Sequence, residues 1–290
     1  MSLEVHEENT TPVEAGLLKC TAAEALGTFL LVFFGCGAVH VAVLFGDLHG
    51  LWQVGIVWGV SIMLAIYVVG GISGAHINPA VTIALATWQL FPVRRVAAYL
   101  AAQLAGAFLA AAVLYSIFHP FLAERERQKG VVRGQPGSEI TAMCYCEFFP
   151  NPGPFASTGE TYQAAEHQRW IDMVSESSAF LAEFLGTAIL ALVVVAVTDE
   201  RNPFHPGRVA PVFIGLTVAA LISVIAPITQ ACFNPARDYG PRLFAFLAGW
   251  NAIAIPGPRP SGTLTVYLLA PILGAICGAG LYCRCLGPRT

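Results

Sequence analysis

Two tripeptides carry the most specific chemistry in this chain: Asn78-Pro79-Ala80 and, 156 residues on, Asn234-Pro235-Ala236. Asparagine is a strong helix N-cap. Proline suits the first helical position, because its missing N–H had no partner there. Each box therefore predicts the start of a helix. A helix amino end carries a partial positive charge. Two such ends meeting at one point would repel cations, hydronium included, while the two asparagines present amide donors. The stretches leading in, Gly74-Ala75-His76-Ile77 and Gln230-Ala231-Cys232-Phe233, place backbone carbonyls outside any helix. A row of acceptors from Gly74, Ala75, His76, Ile77, Cys232 and Phe233 beside two amide donors suits water and small neutral hydroxylated solutes, and does not suit a bare ion. This is the chemistry of passage. No nucleophile–base pair or metal cluster is visible, so neither an enzyme nor a cofactor is expected.

Four further charged groups stand out because charge is scarce. Glu24 and Glu183 lie in apolar stretches, where a carboxylate is costly and functional by default. The expectation is that they accept hydrogen bonds from the backbone N–H groups of the two box loops. A proton relay is the rival reading; the companion acids and bases it needs within the spans are missing. Arg237, directly after the second box, offers guanidinium donors and a fixed positive charge. Asp238 beside it is expected to support the loop.

The elements that must hold these groups follow from composition. Of 290 residues, 56% are hydrophobic and 11% charged, against about 25% charged in a typical soluble domain. A soluble enzyme could not cover that much apolar surface. A net charge of −3 gives no case for nucleic acid. The bilayer is the matching solvent. Residues 48–93 hold no Asp, Glu, Lys or Arg for 46 residues, which is too long for one span of about 20. Gly70-Gly71-Ile72-Ser73-Gly74 divides it into a full helix over 51–69 and a half-length helix over 79–90. In the same way a full span over 209–225 is broken at Ala226-Pro227 before the second box. The count is six full spans and two half-spans. Residues 1–16 are polar and acidic without a basic leader, so the first apolar run reads as a retained helix.

An internal repeat organises these spans. Ala23-Glu24-Ala25-Leu26-Gly27-Thr28 recurs 159 residues later as Ala182-Glu183-Phe184-Leu185-Gly186-Thr187. The boxes recur at nearly the same offset, and Gln103-Leu104-Ala105-Gly106-Ala107 has a weaker echo in Pro271-Ile272-Leu273-Gly274-Ala275. Landmarks in one order at near-constant offset mean duplication. With three spans in each half, the halves enter the membrane from opposite sides, and the solute path lies at their interface. The expected division is a polar tail (1–17), repeat one (18–118), a connector (119–176), repeat two (177–284) and a short tail (285–290). Gly59, Gly215, Gly106 and Gly274 permit close helix packing. With the amino terminus inside, short inner segments carry seven basic residues (Lys19, Arg94, Arg95, Arg201, Arg208, Arg284, Arg289) and short outer segments three. This agrees with the positive-inside rule with both termini in the cytoplasm; the expected location is the plasma (inner) membrane.

These residues resemble the major intrinsic protein family, the aquaporins and glycerol facilitators. The resemblance covers residues 18–284. It rests on both boxes, on Ser73-Gly74-Ala75-His76-Ile77-Asn78-Pro79-Ala80-Val81-Thr82 and on the duplicated Ala-Glu-x-x-Gly-Thr starts. It implies an all-α integral membrane fold of six transmembrane helices plus two re-entrant half-helices in an inverted repeat, assembled as a homotetramer. Arg237-Asp238, Trp58-Gly59 and the connector's Pro150-Asn151-Pro152 resemble the glycerol-facilitator (aquaglyceroporin) branch. By that resemblance Trp58, Ile222, Ala231 and Arg237 form the narrowest constriction. Trp58 supplies an apolar wall for a carbon backbone, and Arg237 supplies donors to hydroxyls. Ile222 stands where water-selective members carry a histidine, and Ala231 where bacterial glycerol facilitators usually carry a second aromatic. The opening should therefore be wider, admitting urea or neutral metalloid hydroxides besides glycerol and water. A water-selective or metalloid-conducting member is the alternative within the class; an ion-coupled secondary transporter is the alternative outside it.

Other signals are read as structural. Cys144-Tyr145-Cys146 lacks the second pair a zinc site needs. Asn202-Pro203 lies in a polar connector and reads as a turn. Cys283 and Cys285 form only a weak lipidation motif. Cys232 stands either on the pore wall or behind it.

Overall fold

A computed structural model describes residues 16–48, 50–157 and 161–288. Most of the expected polar tail and Arg289 lie outside the described residues. The helices run α1 (Leu17–Phe45), α2 (Leu51–Ser73), α3 (Pro79–Thr87), α4 (Val96–Lys129), α5 (Glu139–Ala142), α6 (Gly153–Ser157), α7 (Ala164–Asp172), α8 (Glu176–Thr198), α9 (Ala210–Thr229), α10 (Pro235–Ala245), α11 (Pro260–Leu264) and α12 (Ala270–Leu281). A wider turn, Thr265–Leu269, joins α11 to α12 within one apolar span, Pro260–Leu286. Among the described residues six helices are long and apolar enough to cross a bilayer. The half-helices α3 and α10 follow the second and the fifth of them, and α5, α6 and α7 lie in the connector.

Packing pairs the two halves element by element. α1 lies against α4 and α2, as α8 lies against α12 and α9. Each half-helix crosses over: α3 packs on α12, and α10 packs on α4. The halves meet where α2 crosses α9, at Gly59 and Gly215. A Cβ built on Gly59 would stand 2.6 Å from the Gly215 carbonyl oxygen. At Gly106 and Gly274 it would collide with the carbonyls of Ala25 and Phe184. Backbone therefore meets backbone at these crossings, which only small residues allow.

Several boundaries differ from the sequence expectation. α2 runs through Gly70 and Gly71 and stops at Gly74, whose left-handed backbone (φ 86°) returns its N–H to Gly70 O. A helical glycine costs only about 1 kcal/mol, too little to break a packed span. α9 passes Pro227 and ends at Gln230 (φ 62°). Proline there disturbs only the last turn, and Asn151 of the connector takes the late carbonyls, Nδ2 donating to Ala226 O at 2.9 Å and N to Pro227 O at 3.4 Å. α3 stops at Thr87, short of residue 90. α4 continues through Pro120 to Lys129, eleven residues beyond the expected end of the first half at 118. Its polar last turns are held by Arg125 Nη2 donating to Leu44 O at 2.9 Å and by a left-handed Gly130 cap.

Candidate functional site

The half-helices meet at their boxes. Asn78 Oδ1 caps α3, accepting from Ala80 N (2.8 Å) and Val81 N (3.4 Å). Asn234 Oδ1 caps α10, accepting from Ala236 N (3.0 Å) and Arg237 N (3.3 Å). Each amide then crosses over: Asn78 Nδ2 donates to Phe233 O at 2.9 Å, and Asn234 Nδ2 to Ile77 O at 2.8 Å. One amide proton of each asparagine thus ties the halves together, and the other is left for the cavity both residues line. The carbonyls of Ile77 and Phe233 are thus each engaged by the opposite asparagine, while both residues line the cavity. The carbonyls of Gly74, Ala75, His76, Ala231 and Cys232 accept no hydrogen bond among the described residues. Pro79, Ala80, Pro235 and Ala236 are buried behind the cavity wall.

Both loops bend through left-handed backbone, at Ala75 (φ 49°) and Ile77 (φ 43°), and at Ala231 (φ 64°) and Phe233 (φ 52°). For a β-branched isoleucine this is strained. The glutamates hold it. Glu24 Oε1 accepts from His76 N (2.9 Å) and Ser73 Oγ (2.7 Å); Oε2 accepts from Ile77 N and Gln103 Nε2, both at 2.7 Å. Glu183 repeats the arrangement: Oε1 accepts from Cys232 N (2.9 Å) and Thr229 Oγ1 (2.5 Å), and Oε2 from Phe233 N (2.8 Å). With the N–H groups turned to the carboxylates, the loop carbonyls are left toward the cavity.

The rest of the Ala-Glu-x-x-Gly-Thr start also has a place. Thr28 and Thr187 donate to the carbonyls of Glu24 and Glu183 at 2.8 and 2.7 Å. Gly27 leaves room for the Ile77 side chain, and Gly186 for the Phe233 ring. Sequence reasoning missed these seats and the partners Ser73, Thr229 and Gln103. Spacing three after each glutamate was the signal that could have found the glycines.

Trp58, Ile222, Ala231 and Arg237 line one cavity of about 240 Å³ together with Asn78, Asn234, His76 and Cys232. Cys232 is thus on its wall. Arg237 stacks on Trp58, Cζ 4.5 Å from the ring centroid. The Trp58 ring lies flat against Gly35, where a Cβ would collide with it. Leu31, Ile62, Leu190, Val194, Ile214 and Val218 line the same cavity and give it aliphatic surface. His76 joins Nδ1 to Thr82 Oγ1 at 3.2 Å and packs on Phe91 and Tyr99.

The connector is also part of this site, which the sequence did not indicate. Arg237 Nη1 donates to Tyr145 O at 3.3 Å, and Nη2 forms a buried ion pair with Glu147 Oε1. Asp238 receives the Glu147 N–H at 2.8 Å and pairs with Arg242, whose Nη2 donates to Glu147 O at 2.5 Å. Burial pushes the Glu147 carboxyl up to about 8, against the opposing pull of Arg237. Burial likewise raises the thiols of Cys144 and of Cys146, the latter to about 12, so both stay protonated. No group of three His, Cys, Asp or Glu able to hold a metal occurs among the described residues.

A family model described as "Major intrinsic protein" matches residues 12–282. The chain is 42% identical over 260 residues to the glycerol uptake facilitator protein of Pseudomonas aeruginosa, covering 90% of this chain and 86% of that one. It is 40% identical to the propanediol uptake facilitator PduF of Citrobacter freundii, covering 91% of each. Among solved structures, the X-ray structure of the aquaglyceroporin from Plasmodium falciparum superposes with a TM-score of 0.75 at 26% identity, covering 93% of this chain and 97% of that one.

Proposed function

The chain belongs to the major intrinsic protein family, and from that premise we propose how its pore selects. It is an integral, multi-pass membrane protein and a passive channel for glycerol and other small solutes. The observation that carries the proposed mechanism is the mixed lining of the cavity. Aliphatic side chains share it with the loop residues whose carbonyls accept no bond, the two asparagines and Arg237. A polyol has carbons on one side and hydroxyls on the other, and it can slide with each side against its match. Trp58 takes the carbon face at the constriction, Arg237 the hydroxyl face, and Ile222 and Ala231 complete the ring.

A bare ion gains little here. Its hydration shell cannot be replaced by one polar stripe, and two half-helix amino ends at the boxes oppose any cation. Protons meet the same barrier. The small Ala231 leaves a wider constriction, which also admits water, urea and neutral metalloid hydroxides. In this reading residues 18–118 and 177–284 are the two repeats, the subunits form a homotetramer with one pore each, and both termini face the cytoplasm at the plasma (inner) membrane.

Stopped-flow light scattering on proteoliposomes tests the mechanism. Shrinkage in sorbitol reports water; re-swelling in glycerol reports the polyol. Re-swelling well above that of empty vesicles is expected. Fast shrinkage with re-swelling no faster than in empty vesicles would make this a water channel and remove the roles given to Trp58 and Ile222.

A further inference from the structure

Among the described residues, Glu147 is the connector side chain that forms an ion pair with Arg237. Glu147 is buried, and its main chain is held on both sides: N–H to Asp238 Oδ1 at 2.8 Å, and carbonyl to Arg242 Nη2 at 2.5 Å. The next residue is held as well, Phe148 N donating to Gln230 Oε1 at 2.8 Å. These bonds fix the segment without using the Glu147 side chain. Neither carboxylate oxygen accepts a directed hydrogen bond among the described residues; its one ion-pair partner is Arg237. Asp238 cannot substitute, since both its oxygens are engaged by Arg242. A buried carboxylate is costly unless its charge does something.

We propose that Glu147 is a specificity-determining residue of the constriction: its carboxylate cancels the charge of Arg237, so the pore mouth accepts neutral solutes and gives small anions no site. The proposal rests on the channel reading above. Along this path lie three positive features, the guanidinium and two half-helix amino ends. The helix ends oppose cations whatever Arg237 does. An uncompensated guanidinium would make the whole path attractive to anions. Glu147 leaves Arg237 its flat face and its cavity-side N–H donors, and removes its net charge.

The probe is nitrate, which stays ionised at all working pH values, driven as its potassium salt into valinomycin-treated proteoliposomes. The other charged groups near Glu147 are Arg237, Asp238, Arg242, Glu183 and Cys146. Glu139, His167, Arg259 and Tyr267 share a small cavity with it. At pH 9 the Glu147 carboxyl, pushed up to about 8, is ionised. There the wild type should exclude nitrate, while Glu147→Gln should admit it at least about tenfold faster, the effect of one uncompensated charge at close range. Glu147→Asp should restore exclusion. Glu147→Ala should leak as Glu147→Gln does. Equal nitrate rates for wild type and Glu147→Gln at pH 9, or a leaky Glu147→Asp, each overturn the proposal. Should Glu147→Gln fail to insert, equal nitrate rates for wild type and Glu147→Ala at pH 9 overturn it as well. Glycerol re-swelling of the same vesicles separates the two readings. If it is no faster than in empty vesicles, the channel reading fails. If it is fast, a negative nitrate result counts against charge cancellation alone.

Discussion

Arg237 ties the second box to Trp58 and to the connector. Its face lies on Trp58, and its Nη groups are turned to Tyr145 O and Glu147. Both members of the ion pair are nearly inaccessible, with side chains 5% and 0% exposed. Removing one member of such a pair leaves a buried charge alone, which typically costs about 3–5 kcal/mol. Arg237→Ala should therefore unfold in detergent well below the wild-type temperature. Arg237→Ala combined with Glu147→Gln should recover much of the loss, because no charge is then stranded. Equal melting of the single and double variants would mean that water reaches Glu147 once the arginine is gone. The same logic explains why Glu24 and Glu183 are tolerable at bilayer depth: each carboxylate is surrounded by donors, four for Glu24 and three for Glu183.

Among the elements, the half-helices are too short to be stable alone. They exist because an asparagine caps each one, a glutamate holds the loop before it, and a span of the other half packs along its side. That packing requires helix axes close enough for backbone contact. At Gly106 an added methyl group meets the Ala25 carbonyl, and a backbone atom cannot swing away. Gly106→Ala should lose about 1–3 kcal/mol by overpacking, read as a lower melting temperature in detergent. Gly71→Ala is the contrast. A Cβ there has nothing within 4 Å, and alanine favours helix by up to about 1 kcal/mol, so its melting temperature should hold or rise. Losing both equally would show that the tight crossing at Gly106 is not the determinant.

At the scale of the whole molecule, the two halves differ where it matters. Their pairing is nearly symmetric, yet only the second box carries an arginine, and only that side is covered by the connector. The first half has Gln103 on its glutamate, while the equivalent place in the second is Pro271. Among the described residues no carboxylate at the pore is free to bind and release a coupling ion: Glu24 and Glu183 are surrounded by donors, Asp238 is locked to Arg242, and Glu147 is paired with Arg237. Glycerol flux should therefore scale with the glycerol gradient and be indifferent to an imposed proton or sodium gradient across the vesicle. Acceleration by either ion gradient would revive a coupled transporter.

What the sequence determined by itself was whatever depends on near neighbours. Apolar run length identifies a span, because the bilayer sets one thickness. Asn-Pro-Ala marks a helix start, because capping is local. Repeat offsets and the paired Glu24 and Glu183 were equally visible. Local rules misjudged Gly70-Gly71 and Pro227, where packing and the Asn151 bonds outweigh weak breakers. Only the tertiary structure decided that Ile77 and Phe233 give their carbonyls to the opposite asparagines. It alone brought Glu147 to Arg237, 90 positions apart in the chain. No periodicity encodes such a meeting. It arises when two inverted halves dock and a connector folds onto the mouth between them, so the partner of a buried charge is chosen by the closure of the whole molecule.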